Sequence, residues 1–502
     1  MNSGTTGQRI VIVVSIGWAA GIFLIVLGAL FPSAPLLGLL GTVLESFLSL
    51  HILILGVIGV LLAATAWQLG SRRGTAIATT LAALAVIGAL VPLLSLTRAA
   101  SRYGAPISWS DHLRITAPGV TARPNATVRF ATIDGKDLYA DIYLPARSGG
   151  GLSAPVLMMH PGGYIKGERS MGGDWDRWLA ERGYTVFDVD YRLAPPVTWK
   201  LAAEDAACAA SWIAANAGTY HVDPERMLAA GQSAGAGLAL QLAYGLGEGV
   251  VQSSCGGTAP QPKAVFAIYP PDDFALGWNK DTKLGPITAR KLLTAYLGGS
   301  PEEFPERYRA VSATFHVRAG LPPIFIAAGD NDHLVPYEGH VEFARTLDAA
   351  GVPNELVTIP YADHGFDVAW GSIGGQIVRH AAGEFLQKYL PKRRTVRIST
   401  EGMRMVYAIA MFSITDRAVY GRYQAQFMGV MNRYKGTVLA ADEHPVVVEG
   451  DWDRDKVVML SFASEADFRE FMDSPEYQEI SKDRRAGTSG FVLLVRGIPE
   501  RK

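Results

Sequence analysis

Nothing constrains this chain more than its first hundred residues, which hold three long apolar stretches at positions 10–31, about 47–69, and 75–96. Each is long enough to cross about 30 Å of hydrocarbon as a helix, which takes about 20 residues at 1.5 Å rise. The separators PSAP and SRRG break helices, and the second adds two charges that resist burial. The spans lack the polar face that a helix of a buried soluble bundle shows. A cleaved leader does not fit either, since two more spans follow the first and no clean small-residue cleavage site lies between them. The expectation is a multi-pass membrane segment over residues 1–97.

Charge sets its orientation. Arg9 precedes the first span, Arg72 and Arg73 lie between the second and third, and the loop between the first two has no Lys or Arg. The positive-inside rule then places the N-terminus in the cytoplasm and everything after residue 96 outside it, although Arg98, Arg102 and Arg114 pull the other way. Glu45 and His51 fall at or inside the second apolar region, and a membrane-interface position explains them more simply than a proton or ligand pathway.

With 502 residues the chain has room for two or three domains. Mean hydropathy is +0.16, and the apolar excess sits at the N-terminal end. A net charge of −1 without a basic cluster offers nucleic acid no footprint. Cys208 and Cys255 are too few for a disulfide framework or a zinc site and leave the redox compartment open.

Residues 98–125 are mixed in character and read as a linker or flap. Order begins at residue 126, where two alternating segments flank Asp134-Gly135, a hairpin signal. Strand-like runs then alternate with helix-like ones through APVLMMH, DWDRWLAERG, YTVFDVDY and LAAEDAACAASWIAANAG, and on to AVFAIYP, PPIFIAAG and NELVTIP. That alternation predicts a mostly parallel sheet with helices on both faces over residues 126–391. It lapses between residues 271 and 321, an insertion placed to act as a lid. A basic linker at 392–402 leads to a unit at 403–498. Its segments are a strand (405–413), a helix (417–432), a strand pair (437–448), a strand (456–462), a helix (466–472) and a strand (491–495), which suit a small α+β, ferredoxin-like arrangement.

The chemistry centres on Ser233. GQSAG satisfies G-x-S-x-G, RMLAA before it suits a strand, and LALQLAYG after it suits a helix. A serine hydroxyl needs a base, and the base needs an orienting carboxylate. AAGDNDHLVP and YADHGF supply them in the chain order expected for such a sheet, each just after a predicted strand. His364 is the candidate base and Asp332 the candidate acid, with Asp330 as the fallback. Asp363 adjoins the histidine too closely to orient it, and His333 reads as a surface residue. Backbone donors for an oxyanion belong to a glycine-rich turn after an early strand, here HPGGY. The amides of Gly162, Gly163 and Ala234 are the candidates; Pro161 has no amide hydrogen.

In order, HPGGY, DYRLAP, GQSAG, DHL and DHGF resemble the hormone-sensitive-lipase-like branch of the α/β-hydrolase superfamily, mainly carboxylesterases, over about residues 126–390. The resemblance implies no metal or cofactor, and makes DYRLAP (190–195) a loop that supports the site. Two positions depart from the pattern: Pro161 stands in the usual His-Gly-Gly-Gly motif, and Gln232 where Asp often stands. YGRYQAQF, VVVEGDW and FMDSPEYQ resemble a small uncharacterised family of the dimeric α/β-barrel superfamily. That implies a homodimer paired through sheets, with a small-ligand pocket for which Asp473 with Tyr477, and Glu449 with Trp452, are candidates. Helix capping and burial of an aromatic explain those four more simply.

The combined expectation is a membrane-anchored serine carboxylesterase acting on small-molecule or lipid-like esters, its catalytic domain outside the cytoplasm. The alternatives are a peptidase or acyltransferase on the same fold, or a non-catalytic membrane receptor or scaffold, for which a complete triad would be superfluous.

Overall fold

The computed structural model describes residues 6–68, 72–114, 123–145, 152–391 and 405–497. The expected linker at 392–402 lies outside them. The chain divides into two compact units, Met1–Arg393 and Arg394–Lys502.

The first unit opens with α1 (Thr6–Leu30), α2 (Leu37–Gln68) and α3 (Arg72–Arg102), all long and apolar enough to cross a membrane. They pack against one another, and their outward residues are apolar, among them Val13, Leu61 and Ile87. Such a surface suits lipid rather than water. Helix α2 extends ten residues ahead of the expected span and is kinked at Leu48 (φ −125°, ψ 21°). The backbone amide of Leu50, just past the kink, donates to Nε2 of His112 (3.3 Å). His112 belongs to α4 (Trp109–Arg114). His51 meets the same short helix, its Nε2 lying 3.1 Å from the Leu113 carbonyl oxygen.

Residues 98–125 are not simply a linker. Arg98 to Arg102 continue α3, and residues 109–114 are helical. Leu93, Leu96, Ala99 and Ala100 of α3 share a buried core with the eight-stranded sheet, and burial of that apolar face carries the helix past residue 96, where the expected span ends.

Next come β1 (Ala126–Ile133) and β2 (Lys136–Tyr143), antiparallel and joined by Asp134 (φ 51°) and Gly135 (φ 75°), the two positive φ values a type I′ hairpin needs. Then follow β3 (Pro155–Met159), α5 (Gly173–Glu181), β4 (Thr185–Val189), α6 (Leu201–Ala215) and the one-turn α7 (Ala217–Tyr220). After these come β5 (Leu228–Gln232), α8 (Ala234–Glu248) and β6 (Ala264–Ile268). The insertion holds α9 (Phe274–Lys280), a small hairpin β7 (Lys283–Leu284) and β8 (Ile287–Thr288), α10 (Ala289–Leu297) and α11 (Pro305–Val311). The unit closes with β9 (Ile324–Gly329), α12 (Tyr337–Ala349), β10 (Asn354–Ile359) and α13 (Ile373–Tyr389).

The eight-stranded sheet runs β1-β2-β4-β3-β5-β6-β9-β10, parallel from β4 onward. Every residue of β3, β4, β5, β6 and β9 is buried, as continuous apolar runs between two helical layers must be. Strand order reverses around β3 and β5, so their C-terminal ends border the crevice where open α/β sheets hold ligands. Cys208 of α6 is disulfide-bonded to Cys255 beyond α8, a pairing that two cysteines 47 residues apart did not announce.

In the second unit β11 (Val406–Ile414), α14 (Arg417–Met431), β12 (Gly436–Asp442), β13 (Lys456–Phe462), α15 (Glu465–Met472), α16 (Pro475–Gly487) and β14 (Thr488–Arg496) form an antiparallel sheet in the order β12-β13-β11-β14. This is the β-α-β-β-α-β plan with one added helix. The expected strand pair at 437–448 is one strand, since Pro445 cannot donate to a ladder. The unforeseen α16 is announced by Ser474, whose Oγ accepts from the Tyr477 amide, and by Pro475 at its first position. Tyr477 and Arg484 line an apolar cavity of about 200 Å³; Asp473, Glu449 and Trp452 do not.

Candidate active site

Ser233 is the single residue between β5 and α8, and its φ of 51° with ψ of −119° is a conformation a serine rarely holds. The turn closes only because its neighbours lack side chains. A β-carbon on Gly231 would lie 2.3 Å from the Gly235 carbonyl carbon, and one on Gly235 would lie 2.0 Å from the Met159 carbonyl oxygen. Tight packing of β5, α8 and β3 therefore lifts the Ser233 hydroxyl over the sheet's C-terminal edge.

The Ser233 hydroxyl donates to His364 Nε2 (2.9 Å), and His364 Nδ1 donates to Asp332 Oδ2 (2.8 Å). The other oxygen of Asp332 accepts from the amides of Leu334 (2.7 Å) and Val335 (2.8 Å), which fixes the carboxylate's orientation. Burial of His364 lowers its pKa, but the Asp332 carboxylate, with Asp363 and Asp367, more than offsets this and raises it above the ordinary value. Asp330, the fallback acid, instead accepts from the Tyr361 amide (2.7 Å). Asp363 pairs with the His333 ring rather than the His364 ring: His333 Nδ1 donates to its Oδ2 (2.7 Å). So His333 is a half-buried partner, not a free surface residue.

The glycine turn after β3 is held from behind. The Tyr191 hydroxyl of DYRLAP donates to the His160 carbonyl (2.9 Å), and the two rings stack at 4.2 Å. The Ala194 amide donates to the Tyr164 carbonyl (2.8 Å). Gly162 (φ 135°) folds the turn so tightly that a β-carbon there would lie 1.8 Å from the Lys166 carbonyl oxygen. Gly163 and Ala234 line the pocket beside Ser233, whereas Gly162 is not among the residues that line it. Among the described residues no backbone carbonyl accepts from the amides of Gly163 or Ala234. Two donors thus remain available beside the serine.

That pocket is small, about 50 Å³, and mostly apolar. Tyr164, Phe274, Leu292, Leu293 and Leu334 wall it, so α9 and α10 of the insertion cover the site.

Sequence reasoning missed Asp367. Its Oδ2 accepts from Trp175 Nε1 (2.7 Å) and Gln232 Nε2 (2.7 Å), and its Oδ1 from the Tyr269 hydroxyl (2.7 Å). The Tyr269 ring lies 4.5 Å from that of His364. Gln232 is therefore no gap in the elbow: its amide meets a carboxylate supplied three residues after the histidine. The acid in DHGFD was the available signal. Among the described residues no group of three or more His, Cys, Asp or Glu side chains is arranged to hold a metal ion.

Comparison with known proteins finds esterases over the region of the eight-stranded sheet. Residues 140–347 match the BD-FAE family model, which takes in Ser233 and Asp332 and ends before His364. Esterase LipQ of Mycobacterium tuberculosis is 26% identical over 266 residues, 52% of this chain and 62% of that protein. Ethyl acetate hydrolase of Pseudomonas putida is 29% identical over 254 residues, 48% of this chain and 75% of that protein. The chain spans about three fifths of the length of the first relatives it matches. Among solved structures, the propionate-bound Est2 esterase of Thermogutta terrifontis aligns with 55% of this chain and 98% of its own, at 24% identity and a TM-score of 0.45. Residues 405–498 match a domain of unknown function, DUF1330. Over its catalytic sheet the chain is therefore similar to esterases, and over its C-terminal unit to the DUF1330 family.

Proposed function

We propose that the chain is a membrane-anchored serine carboxylesterase whose nucleophile is Ser233. The observation that carries this reading is the hydrogen-bonded series Ser233–His364–Asp332 at a strained strand-to-helix turn. His364 takes the proton as the Ser233 oxygen attacks the ester carbonyl, while Asp332 holds the imidazole in the tautomer that can accept it. The amides of Gly163 and Ala234 stabilise the tetrahedral oxyanion, with Gly162 shaping the turn that presents them. His364 then protonates the leaving alcohol, and water, activated by the same imidazole, releases the acid and frees the serine.

The small walled pocket favours short acyl groups. The esterase relatives support ester hydrolysis over peptide or acyl transfer. The Cys208–Cys255 disulfide supports a catalytic unit facing an oxidising compartment, in keeping with the charge bias of the spans. In the C-terminal unit, Phe491, Leu493 and Val495 of β14 leave an apolar sheet face uncovered, which favours pairing of two copies there.

Fluorophosphonate labelling of the full chain in detergent tests the central claim, alongside a p-nitrophenyl ester series of rising chain length. Labelling of wild type that is lost in Ser233→Ala, with hydrolysis steepest for acetyl to butyryl esters, is expected. A folded wild type that neither labels nor hydrolyses any ester of the series overturns it.

A further inference from the structure

A helix that serves only to tether a protein needs no polar contact with the catalytic machinery, yet α2 makes several. Ahead of the Leu48 kink its buried face is small and polar: Gly38, Gly41, Thr42, Glu45 and Ser46. The Thr42 hydroxyl donates to Asp363 Oδ2 (2.7 Å), and the Asp363 amide donates to Ser46 Oγ (2.8 Å). The loop before α2 joins in, since His333 Nε2 donates to the Pro32 carbonyl (3.0 Å). This half-helix is itself braced against the end of α1. A β-carbon on Gly41 would lie 2.1 Å from the Ala29 nitrogen, and one on Gly28 2.0 Å from the Leu37 carbonyl oxygen.

Asp363 is the point at which these contacts reach the chemistry. Its Oδ1 accepts from the backbone amides of His333 (2.9 Å) and His364 (2.7 Å), and its Oδ2 from His333 Nδ1 (2.7 Å) and Thr42. One carboxylate thus ties the loop that carries Asp332 to the loop that carries His364. Its bond to His333 raises that imidazole's pKa to about 9, so near neutral pH both ring nitrogens carry protons and donate, one to Asp363 and one to Pro32. These partners come from the α1–α2 loop and the start of α2 on one side, and from the loops after β9 and β10 on the other. That agrees with three crossings, which put the α1–α2 loop and the chain after α3 on the same face.

We propose that the part of α2 before the kink is a positioning element of the catalytic site: through Thr42 and Ser46 it holds Asp363, and with it the backbone of His364. This rests on the esterase reading above. A base displaced by a fraction of an ångström from the serine slows the chemical step while leaving the acyl pocket as it was.

The test uses full-length protein in detergent and a short p-nitrophenyl ester. Thr42→Val with Ser46→Ala is expected to lower kcat about tenfold or more with KM within about twofold of wild type. Thr42→Ser, which keeps the hydroxyl, should stay close to wild type where Thr42→Val does not. Thr65→Val, which removes a hydroxyl deeper in α2, should leave turnover unchanged. Thermal melts accompany each variant, and the single variants are compared if the double variant lacks a cooperative transition. Wild-type kcat in folded Thr42→Val and Ser46→Ala, or an equal loss in Thr42→Ser and Thr42→Val, overturns the inference and leaves the esterase standing. A folded wild type without hydrolysis or labelling at Ser233 overturns both.

Discussion

At the scale of residues, each member of the proposed triad owes its placement to a different constraint. Ser233 is held by backbone strain, Asp332 by two amides, and His364 by a carboxylate on one ring nitrogen and the serine on the other. If Asp332 acts as proposed, orienting His364 and stabilising its imidazolium, Asp332→Asn should reduce kcat by roughly 10³ to 10⁴. A His364 base must be neutral to act, so activity is expected to fall as pH drops through its raised pKa. The acidic midpoint of kcat/KM is therefore expected above about 6.5 in wild type and lower in Asp332→Asn, as a pH–rate profile of the two will read. The sequence put Asp332 first and Asp330 as the fallback, because both follow a strand that ends at the crevice and Asp332 lies further into the loop. The choice between them is a matter of loop direction: Asp330 turns back to cap the Tyr361 amide, and only Asp332 reaches His364.

At the scale of elements, α5 and β4 hold a buried acidic pair that the catalytic reading does not use. The carboxyls of Asp176 and Asp188 lie together, and burial pushes both upward, Asp176 the more strongly. A folded-state pKa raised above the unfolded value contributes stability that is present below about pH 4 and is lost as pH rises through the raised value. Replacing Asp176 with Asn should therefore raise Tm at pH 8 relative to wild type, with the gain shrinking towards acidic pH. Melting curves of the two proteins at pH 5 and pH 8 check this. Elements with strong periodicity or turn chemistry were legible in advance, as the Asp134-Gly135 hairpin and the buried runs of β3 to β6 show. Helix α16 escaped because its sequence, PEYQEISKDRRAG, is polar nearly throughout and buries only Tyr477, Ile480, Ser481 and Gly487.

At the scale of the whole molecule, the three long apolar helices and the eight-stranded sheet share one compact unit, with α3 running into the sheet's core. The proposed orientation and the disulfide each give a prediction. A reporter active only in the cytoplasm and fused after Tyr103 should be silent, whereas activity there would reverse the orientation. Cys255→Ser should cost about 2–4 kcal/mol of stability, read as a lower unfolding midpoint, with turnover of a short ester unchanged.

The sequence by itself determined the three long apolar helices, the sheet's alternating elements and the short motifs that carry Ser233, His364 and the glycine turn. All of these rest on chemistry between near neighbours, where periodicity, caps and turn residues leave a local trace. Only the tertiary structure decided that Asp330 turns away from His364, that Cys208 meets Cys255, that Asp367 bonds Gln232, and that α2 bonds Asp363. The bonds from α2 and its preceding loop to Asp363 and His333 join residues 301 to 321 positions apart. No pattern along the chain records such a contact, because it exists only once the helices and the sheet have packed against each other.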